Sequence, residues 1–307
     1  MQVSYAPSAR IWAACRRRAK TFSIGVPNAL IVSEPQPQEA ELRPLPGAQD
    51  EMHTIRKIIT QDARGQVTTF EGEAATLVDV MGTLHACSAS LTHIHFACHG
   101  LVELTDPYSS GLLLAYSARL KTYDLLEPTG LRFAVLRLAA LSACQTGLPG
   151  TELPDEVVGL PSGWLQAGAM SVLASFWPVS DSITVALMQM FYELHLLDRL
   201  EPVQALWLAQ RWLRNLPTWR QDCLAAGARY AAGGPEAKEV VCELARTRGE
   251  TMLLDDLEHL IESETKTEIT NPLAPKRSNM AEKGVPNSQE AYWEHARHWA
   301  AFAIYGA

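Results

Sequence analysis

Two short segments each place a reactive side chain at the end of an apolar run, with glycine close behind it. Residues 94–100 read IHFACHG, and residues 141–147 read LSACQTG. A cysteine attacks as its thiolate, and a nearby imidazole can take up the thiol proton and then stabilise that thiolate. The pattern therefore predicts that Cys144 is a nucleophile for a peptide carbonyl and that His99 is its base.

The glycines suggest how the carbonyl oxygen under attack would be held. A residue without a Cβ lets a substrate approach the backbone closely. We expect the amides of Gly100 and Cys144 to form an oxyanion hole. Losing one such donor typically raises the rate barrier by about 2.7–4 kcal/mol.

A metal site is the main alternative for the first segment. His93, His95 and His99 would share one face of a strand, and imidazole is a common zinc ligand. A metallohydrolase site also needs nearby carboxylates, and the residues that follow supply only Glu103 and Asp106. We therefore expect no metal and no cofactor, and we expect His93 and His95 to hydrogen-bond within the fold.

Two other side chains of these segments are expected to be inert. Cys98 precedes His99 by one residue, so it should face the opposite side of the strand and pack as a buried thiol. Ser142 lacks the G-x-S-x-G turn that presents a serine nucleophile. The predicted chemistry thus depends on His99 and Cys144.

The elements that must position this pair alternate between strands and helices. Strands are predicted at residues 29–32, 67–70, 91–98, 136–142, 171–176 and 299–305, with a hairpin from 110–114 and 119–120. Helices are predicted from Pro46 onward and at 73–86, 157–167, 181–195 and 201–213, with Asp181 as an N-cap. Such alternation predicts a mostly parallel sheet with helices on both faces. His99 and Cys144 would then lie together beyond the carboxyl ends of two strands.

The sequence divides into four parts. They are an irregular lead at 1–28, a core at 29–215, a helical insertion at 216–289 and a terminal strand at 290–307 that rejoins the sheet. The insertion contains a polar tract rich in Lys, Glu, Asn, Thr and Pro, which is typical of mobile chain. In the lead, the run Arg16–Arg18 is expected to form a solvated face.

Composition restricts the partners and the setting. The chain has 307 residues, a formal net charge of −8 and 47% hydrophobic residues, which is ordinary for a globular protein. Its acidity argues against nucleic acid or an anionic membrane as a direct partner, and no apolar run approaches membrane-spanning length. Six cysteines without a CxxC pair, and the lack of a signal-peptide pattern, predict a reducing, cytoplasmic setting.

Several further stretches, taken in order along the chain, resemble the CHAT domain, a caspase-like peptidase family related to separases. Besides the two reactive segments they are LPGAQDE at 45–51, SGLLL at 110–114, VGL at 158–160, AGA at 167–169, SFWPV at 175–179 with Asp181, and residues 292–306. His99 and Cys144 lie 45 positions apart, close to the roughly 50 that separate the caspase histidine from its Q-A-C-[RQG]-G cysteine. The SACQTG segment partly matches that motif.

The resemblance implies a caspase-like three-layer α/β/α sandwich, proteolysis without a cofactor, and a dyad of His99 and Cys144. It implies that Trp177 lies in the substrate groove, while Asp181 either lines that groove or caps its helix, the cap being preferred. Tetratricopeptide repeats often accompany the family and are missing from this sequence. We therefore expect a specific protein substrate and a regulatory protein partner, such as a tetratricopeptide-repeat protein or an effector complex.

Two alternatives accompany this prediction. Glu152, Asp155 and Glu156 follow the nucleophile closely, and they either shape a pocket for a basic side chain or belong to a solvated loop. The same fold can also serve as a catalytically inactive binding or scaffolding module. The sequence favours the enzyme because every residue that the dyad needs is present.

Overall fold

A computed structural model describes residues 3–22, 25–36, 42, 44–103, 105–126, 130–143, 146, 159–177, 181–214 and 300–307. The chain divides into two compact units: Met1–Arg211 with Arg297–Ala307, and Trp212–Ala296. Nearly all of the second unit, including the predicted insertion at 216–289, lies outside the described residues. The fold below is therefore that of the first unit.

Two β-sheets are present in the described part of the chain. The strands are β1 (Ser4–Tyr5), β2 (Asn28–Ser33), β3 (Gln66–Glu71), β4 (His93–Ala97), β5 (Gly100–Leu101), β6 (Gly111–Leu113), β7 (Arg119–Lys121), β8 (Leu138–Ser142), β9 (Ser171–Ser175) and β10 (Phe302–Gly306). Seven of them form a central sheet in the order β1-β10-β9-β8-β4-β2-β3, and β5, β6 and β7 form a small antiparallel sheet. From β9 to β3 the central sheet is parallel, whereas β10 runs antiparallel to β9.

Helices cover both faces of the central sheet. They are α1 (Ala9–Thr21), α2 (Pro46–Lys57), α3 (Leu77–Ala86), α4 (Thr122–Leu126), α5 (Leu160–Ala167), α6 (Asp181–Tyr192) and α7 (Pro202–Arg214), and single π-helical turns extend α2 and α6. Side chains of α1, α3 and α5 join one core cluster with the strands, and α2 and α6 pack together on the opposite face. The predicted three-layer α/β/α sandwich with a mostly parallel sheet is confirmed. Within the described residues, no helix has the length and apolar character needed to cross a lipid bilayer.

The core explains why the central strands read as continuous apolar runs. Leu30 and Val32 face the cluster shared with α3 and α5, and Ile31 between them is equally buried on the other face. On the first face Trp164 of α5 stacks between other aromatic rings, including that of Phe96, whose centroid is 5.8 Å away. Full burial of one such side chain stabilises the fold by about 1.5–3 kcal/mol. Strands buried on both faces are what a parallel sheet requires.

The N-terminal lead is not irregular, contrary to the sequence-based prediction, because it forms β1 and α1. The Ser8 hydroxyl accepts a hydrogen bond from the Ile11 amide at 3.2 Å and so caps α1. Ile11 and Cys15 are spaced by one helical turn; Cys15 is wholly buried and Ile11 packs against the core. This short apolar stripe anchors the helix.

The basic run on α1 is solvated only in part. Arg16 and Arg17 are exposed as predicted, but the Arg18 guanidinium donates to the Leu165 carbonyl of α5 at 3.2 Å. Three adjacent arginines interrupt the apolar pattern of this segment, so the sequence pattern does not predict the helix.

Two other helices begin later in the sequence than predicted, because the N-cap residue before each of them has a non-helical backbone. In α3, Thr76 is extended and its hydroxyl accepts from the Asp79 amide at 3.1 Å, so the helix begins at Leu77 and not near Glu73. In α5, Gly159 is the N-cap, and the helix begins at Leu160. The cap by Thr76 satisfies an amide that the first turn leaves without an intrahelical partner.

A chain of hydrogen bonds joins two buried histidines at the end of the sheet opposite the carboxyl edge. Thr92 Oγ1 lies 2.8 Å from His93 Nδ1, and His93 Nε2 lies 3.2 Å from His195 Nε2. His195 Nδ1 lies 2.7 Å from the Leu200 carbonyl oxygen. Because a carbonyl only accepts, we assign the proton of His195 to Nδ1, so that His195 Nε2 accepts from His93 Nε2. The Thr92 hydroxyl donates to the Asn28 carbonyl at 3.0 Å.

Both rings are therefore expected to resist protonation. Burial, reinforced by the neighbouring ring, holds the pKa of His93 well below its ordinary value. Burial lowers the pKa of His195 to about 4, although the Leu200 carbonyl opposes that shift. A proton added to His195 would occupy Nε2 and face the N–H of His93 at 3.2 Å.

Stability is predicted to fall as the pH drops from about 6.5 to about 4. In this window the unfolded chain binds protons that the folded chain excludes, so the free energy of unfolding decreases with falling pH. For His195 alone, a pKa moved from 6.5 to about 4 corresponds to about 3 kcal/mol at 1.36 kcal/mol per unit. Denaturant unfolding at pH 7.0, 5.5 and 4.5 measures the loss. A His195→Gln variant serves as the control and should lose less over the same range; equal losses in both proteins would contradict the prediction.

Candidate active site

A cleft lies at the carboxyl edge of the central sheet, where β4, β8 and β9 end. His99 follows β4, Ser142 ends β8 and Trp177 follows β9, and all three line the cleft together with Glu51 of α2. The cleft holds ≈ 480 Å³ of space not filled by protein atoms and opens to solvent. The sequence predicted chemistry at this edge, and the cleft lies there.

The first turns of α2 form one wall of the cleft. The Ser33 hydroxyl at the end of β2 donates to the Ala48 carbonyl at 2.8 Å. Gly47 and Ala48 line the cleft, and Pro46 occupies a starting position of the helix that proline favours. This anchor brings the side of α2 that carries Glu51 over the end of β4.

His99 is the part of the predicted dyad that the structure describes. It is half-buried, lines the cleft, and its carbonyl accepts from the Leu113 amide of β6 at 2.9 Å. Cys98, one residue earlier, is 1% exposed and belongs to the core cluster, which confirms its predicted packing. Cys98 thus packs as a buried thiol at the base of the cleft, next to the half-buried imidazole of His99.

Cys144 itself lies outside the described residues, but its neighbours on both sides are held firmly. The Ala143 carbonyl accepts from the Ser175 hydroxyl at 2.6 Å and from the Thr146 hydroxyl at 3.1 Å. The Ser175 amide in turn donates to Thr146 Oγ1 at 3.2 Å. Ala143 and Thr146, the described residues on either side of Cys144, are therefore both hydrogen-bonded to Ser175, the last residue of β9.

The register of β4 and β8 relates the two reactive positions. The last paired residues of these parallel strands are Ala97 and Ser142. His99 and Cys144 each follow that pair by two residues. Neighbouring strands lie about 4.8 Å apart, so the two chains leave the sheet side by side at this point.

Gly100 has an amide that points away from the small sheet. It lies opposite Leu112 in β6, while the Leu113 amide donates to the His99 carbonyl. In an antiparallel ladder this pattern makes Gly100 and Leu112 a pair without mutual hydrogen bonds. The predicted oxyanion role of Gly100 needs such an available donor.

The remaining predicted site residues separate into two groups. Trp177 lines the cleft and stacks on Phe176 with ring centroids 6.3 Å apart. Asp181 begins α6, but its side chain, like the whole of Asp155 and Glu156, lies outside the described residues. Their predicted roles in substrate binding stay predictions.

His93 and His95 hydrogen-bond within the fold, as the sequence-based prediction held. His93 belongs to the buried chain with His195 described above. His95 Nδ1 lies 3.1 Å from the Tyr192 hydroxyl of α6, and its Nε2 lies 3.0 Å from Glu51 Oε1. The contact between His95 and Glu51 has an ion-pair distance but not the angles of a hydrogen bond.

The sequence did not indicate that Glu51 and Ser142 would line the cleft. Glu51 is 4% exposed, although an acidic residue near the start of a helix usually faces solvent. Ser142 was considered only as a nucleophile, yet its hydroxyl is buried beside His99 without a hydrogen-bond partner. A signal for Ser142 is its position two residues before the predicted nucleophile, at the end of a predicted strand.

Comparison with solved structures and with protein families places the chain. It is similar to "Crystal structure of the Arg specific cysteine proteinase gingipain R (RGPB)", at 11% identity and TM-score 0.41, over 63% of this chain and 45% of that one. It is also similar to "Complex of Porphyromonas gingivalis RgpB pro- and mature domains", at 11% identity and TM-score 0.42, over 64% and 47%. The alignment thus spans just under half the length of either solved chain, and no curated protein matches the sequence. The family model of the CHAT domain matches residues 1–307, and the chain therefore belongs to the CHAT domain family.

Proposed function

We propose that this chain is a cysteine endopeptidase in which Cys144 attacks a peptide carbonyl and His99 moves the proton. Membership of the CHAT family supports a function of the cysteine protease type. The observation that carries the proposal is that His99 lines the cleft beside Ser142 and Ala143, the residues directly before Cys144.

The reaction then proceeds in two balanced halves. The thiol proton of Cys144 passes to His99, and the thiolate adds to the carbonyl carbon, whose oxygen becomes negative. His99 returns the proton to the departing amine, which leaves an acyl-thioester on Cys144. Water then gives a proton to His99 and adds to the thioester, and collapse of that adduct returns the proton to the thiol and releases the acid.

The amides proposed for the oxyanion are those of Gly100 and Cys144. The orientation of the Gly100 amide, away from β6, supports the first of these. Donors fixed before the reaction act without reorganising as the charge develops, which makes them effective. The cleft's position at the carboxyl ends of parallel strands is the usual one for such groups.

We further propose that the substrate is a specific protein and that a partner protein regulates the enzyme in a cytoplasmic setting. The cleft is bordered by α2 and by Trp177, and a cleft at the end of a sheet suits an extended substrate segment. No nucleic acid, membrane or cofactor takes part.

Thiol labelling tests the proposed chemistry without knowledge of the substrate. Cys144 should react with iodoacetamide at neutral pH at least about tenfold faster than any other cysteine, because an imidazole neighbour raises the thiolate fraction. The buried thiols of Cys15 and Cys98 serve as slow internal references, and the half-buried Cys87 as a faster one. Peptide mapping by mass spectrometry after short exposures gives the individual rates.

The same labelling is repeated in host lysate, so that a latent enzyme meets its partner. A Cys87→Ala variant is the matched control and should leave the Cys144 rate unchanged. If Cys144 labels no faster than Cys87 both alone and in lysate, the protease proposal is wrong, and an inactive binding module of the same fold is the better description.

A further inference from the structure

The central sheet ends in two edge strands of very different character. One is β1, which has only two residues and is followed closely by Pro7. The other is β3 (Gln66–Glu71), whose six residues all pair with β2 in an unbroken parallel register. Proteins protect an exposed edge with a very short strand, proline, lysine or a bulge. The edge at β1 has such protection, and β3 has none of these features.

Three residues of β3 turn their backbone groups away from the sheet. The Gln66 amide donates to the Pro27 carbonyl at 2.8 Å, which fixes the direction of every second residue. Even-numbered residues of β3 therefore bond to β2, whereas the N–H and C=O groups of Val67, Thr69 and Glu71 point outward. In the part of the chain that the structure describes, none of these outward groups has a hydrogen-bond partner. They are a template for one more strand.

The strand is complementary to itself when a second copy is turned antiparallel to it. A two-fold axis at Thr69 pairs Thr69 with its own copy, and it pairs Val67 with Glu71 of that copy. Each of these is a hydrogen-bonded pair, because all three residues present outward groups, so every outward donor meets an acceptor. On the other face, Thr68 lies opposite Phe70, and a β-branched residue opposite an aromatic ring stabilises a sheet.

The charges at the two ends of β3 favour this antiparallel arrangement. Arg64 precedes the strand, Glu71 ends it and Glu73 follows it, and all three side chains are exposed. None of the three takes part in a salt bridge with another described residue. Antiparallel pairing brings Arg64 of one copy towards the two carboxylates of the other, and the two-fold axis repeats the contact. Parallel pairing would instead place like charges side by side, which is destabilising.

We propose that β3 binds a second copy of this chain, edge to edge, in an antiparallel pair centred on Thr69. The contact is isologous, so it uses the same edge of both copies and closes at a dimer. Because the strands from β9 to β3 are parallel, the two clefts open at opposite ends of the dimer. No residue of β3 lines the cleft, so this inference does not depend on the proposed peptidase function.

The mass of the full chain in solution tests the contact. Sedimentation is measured over a dilution series from about 1 to about 100 µM, because reversible association depends on protomer concentration. The mass should rise from 33.8 kDa towards twice that value. A monomer mass throughout the series overturns the proposal and leaves the edge to a strand of another protein. Species larger than a dimer overturn it as well, because the isologous contact closes at two copies.

Thr69→Pro tests the centre of the contact. It should weaken the association about 10- to 100-fold, because both hydrogen bonds at the two-fold axis are lost. The Thr69 amide does not bond to β2, and proline is accepted at a strand edge whose N–H faces solvent. A dimer that Thr69→Pro leaves as tight as the wild-type dimer contradicts the proposal.

An exchange of charges tests the register without altering the strand itself. Arg64→Glu should weaken the dimer by about tenfold, because two attractive contacts become repulsive. Adding Glu73→Arg to that variant should recover part of the loss. Arg56→Glu, the same charge change at an exposed position of α2, is the matched control and should leave the dimer unchanged. A dimer that Arg64→Glu does not weaken, or that the added Glu73→Arg does not recover, contradicts the antiparallel register.

Hydrogen exchange of single amides, followed by mass spectrometry, locates the contact. The amides of Val67, Thr69 and Glu71 should exchange about tenfold more slowly at the high end of the dilution series than at the low end, because only the dimer protects them. The Thr68 amide, which faces β2, is the internal control and should not respond to concentration. A dimeric mass with no change at Val67, Thr69 and Glu71 would place the contact elsewhere and overturn the proposal.

Discussion

Replacing Cys144 with alanine is expected to abolish proteolysis, with a loss on the order of 10⁴-fold or more. No other thiol of the described chain can substitute for it. Cys15 and Cys98 are at most 1% exposed, and burial raises the pKa of the Cys15 thiol, which keeps it protonated. Cys87 is the C-cap of α3 and, half-buried, packs against the core cluster to which α3 belongs.

The measurement is a comparison of new protein N-termini in host lysate incubated with the wild-type or the Cys144→Ala chain. The lysate supplies both the substrate and any regulatory partner, so a latent enzyme is also detected. Cys87→Ala is the matched control and should produce the wild-type set of N-termini. The same new N-termini from wild type and Cys144→Ala would assign the cleavage to a contaminant or to another residue.

Most strands of the central sheet could be predicted from the sequence, because a parallel strand that is buried on both faces is a continuous apolar run. Each run that is apolar at every position, such as residues 29–32, became a strand buried on both faces. The burial of Cys98 was also predicted correctly. These predictions depend only on local periodicity and on the need to bury apolar surface.

Which residues surround the site depends on the order of the strands in the sheet. Local sequence patterns do not reveal that order. β4 pairs with β2 on one side and with β8 on the other, although 40 residues separate Ala97 from Leu138 along the chain. The small sheet of β5, β6 and β7 and the helix α4 lie within that interval. The expectation that His99 and Cys144 lie together follows from the general rule that reactive groups gather at the carboxyl edge of a parallel sheet, whereas the direct pairing of β4 with β8 is visible only in the structure.

Glu51 illustrates why a site residue can escape sequence analysis. Acidic residues near a helix start interact favourably with the helix dipole, and this is reason enough to find one there. What removes Glu51 from solvent is the packing of α2 on β4 and on α6, where His95 and Tyr192 lie. Pairing of this kind arises from tertiary contacts between segments more than 40 residues apart, so periodicity within α2 does not reveal it.

Replacing His99 with alanine is expected to lower the rate of cleavage by about 10²- to 10⁴-fold, the usual contribution of a general acid–base group. Alanine retains the carbonyl through which residue 99 accepts from the Leu113 amide of β6, and denaturant unfolding of the variant checks that the fold is kept. Loss of the imidazole also removes the charge that stabilises the Cys144 thiolate. The pH at which Cys144 is half-reactive towards iodoacetamide should therefore rise towards the ordinary thiol value of about 8.5.

Two readouts distinguish this role from a structural one. Cleavage rates report the loss of acid–base catalysis, and the pH profile of Cys144 alkylation reports the loss of the ion pair. His53→Ala is the matched control, since His53 is exposed on α2 and contacts only the Gln49 carbonyl among the interactions described for it. An alkylation profile that does not move in His99→Ala, alongside an unchanged cleavage rate, would show that His99 is not the partner of Cys144. A shift in both, with unfolding unchanged, places the imidazole beside the thiolate, because only a group in direct contact alters the pKa and the proton transfer together.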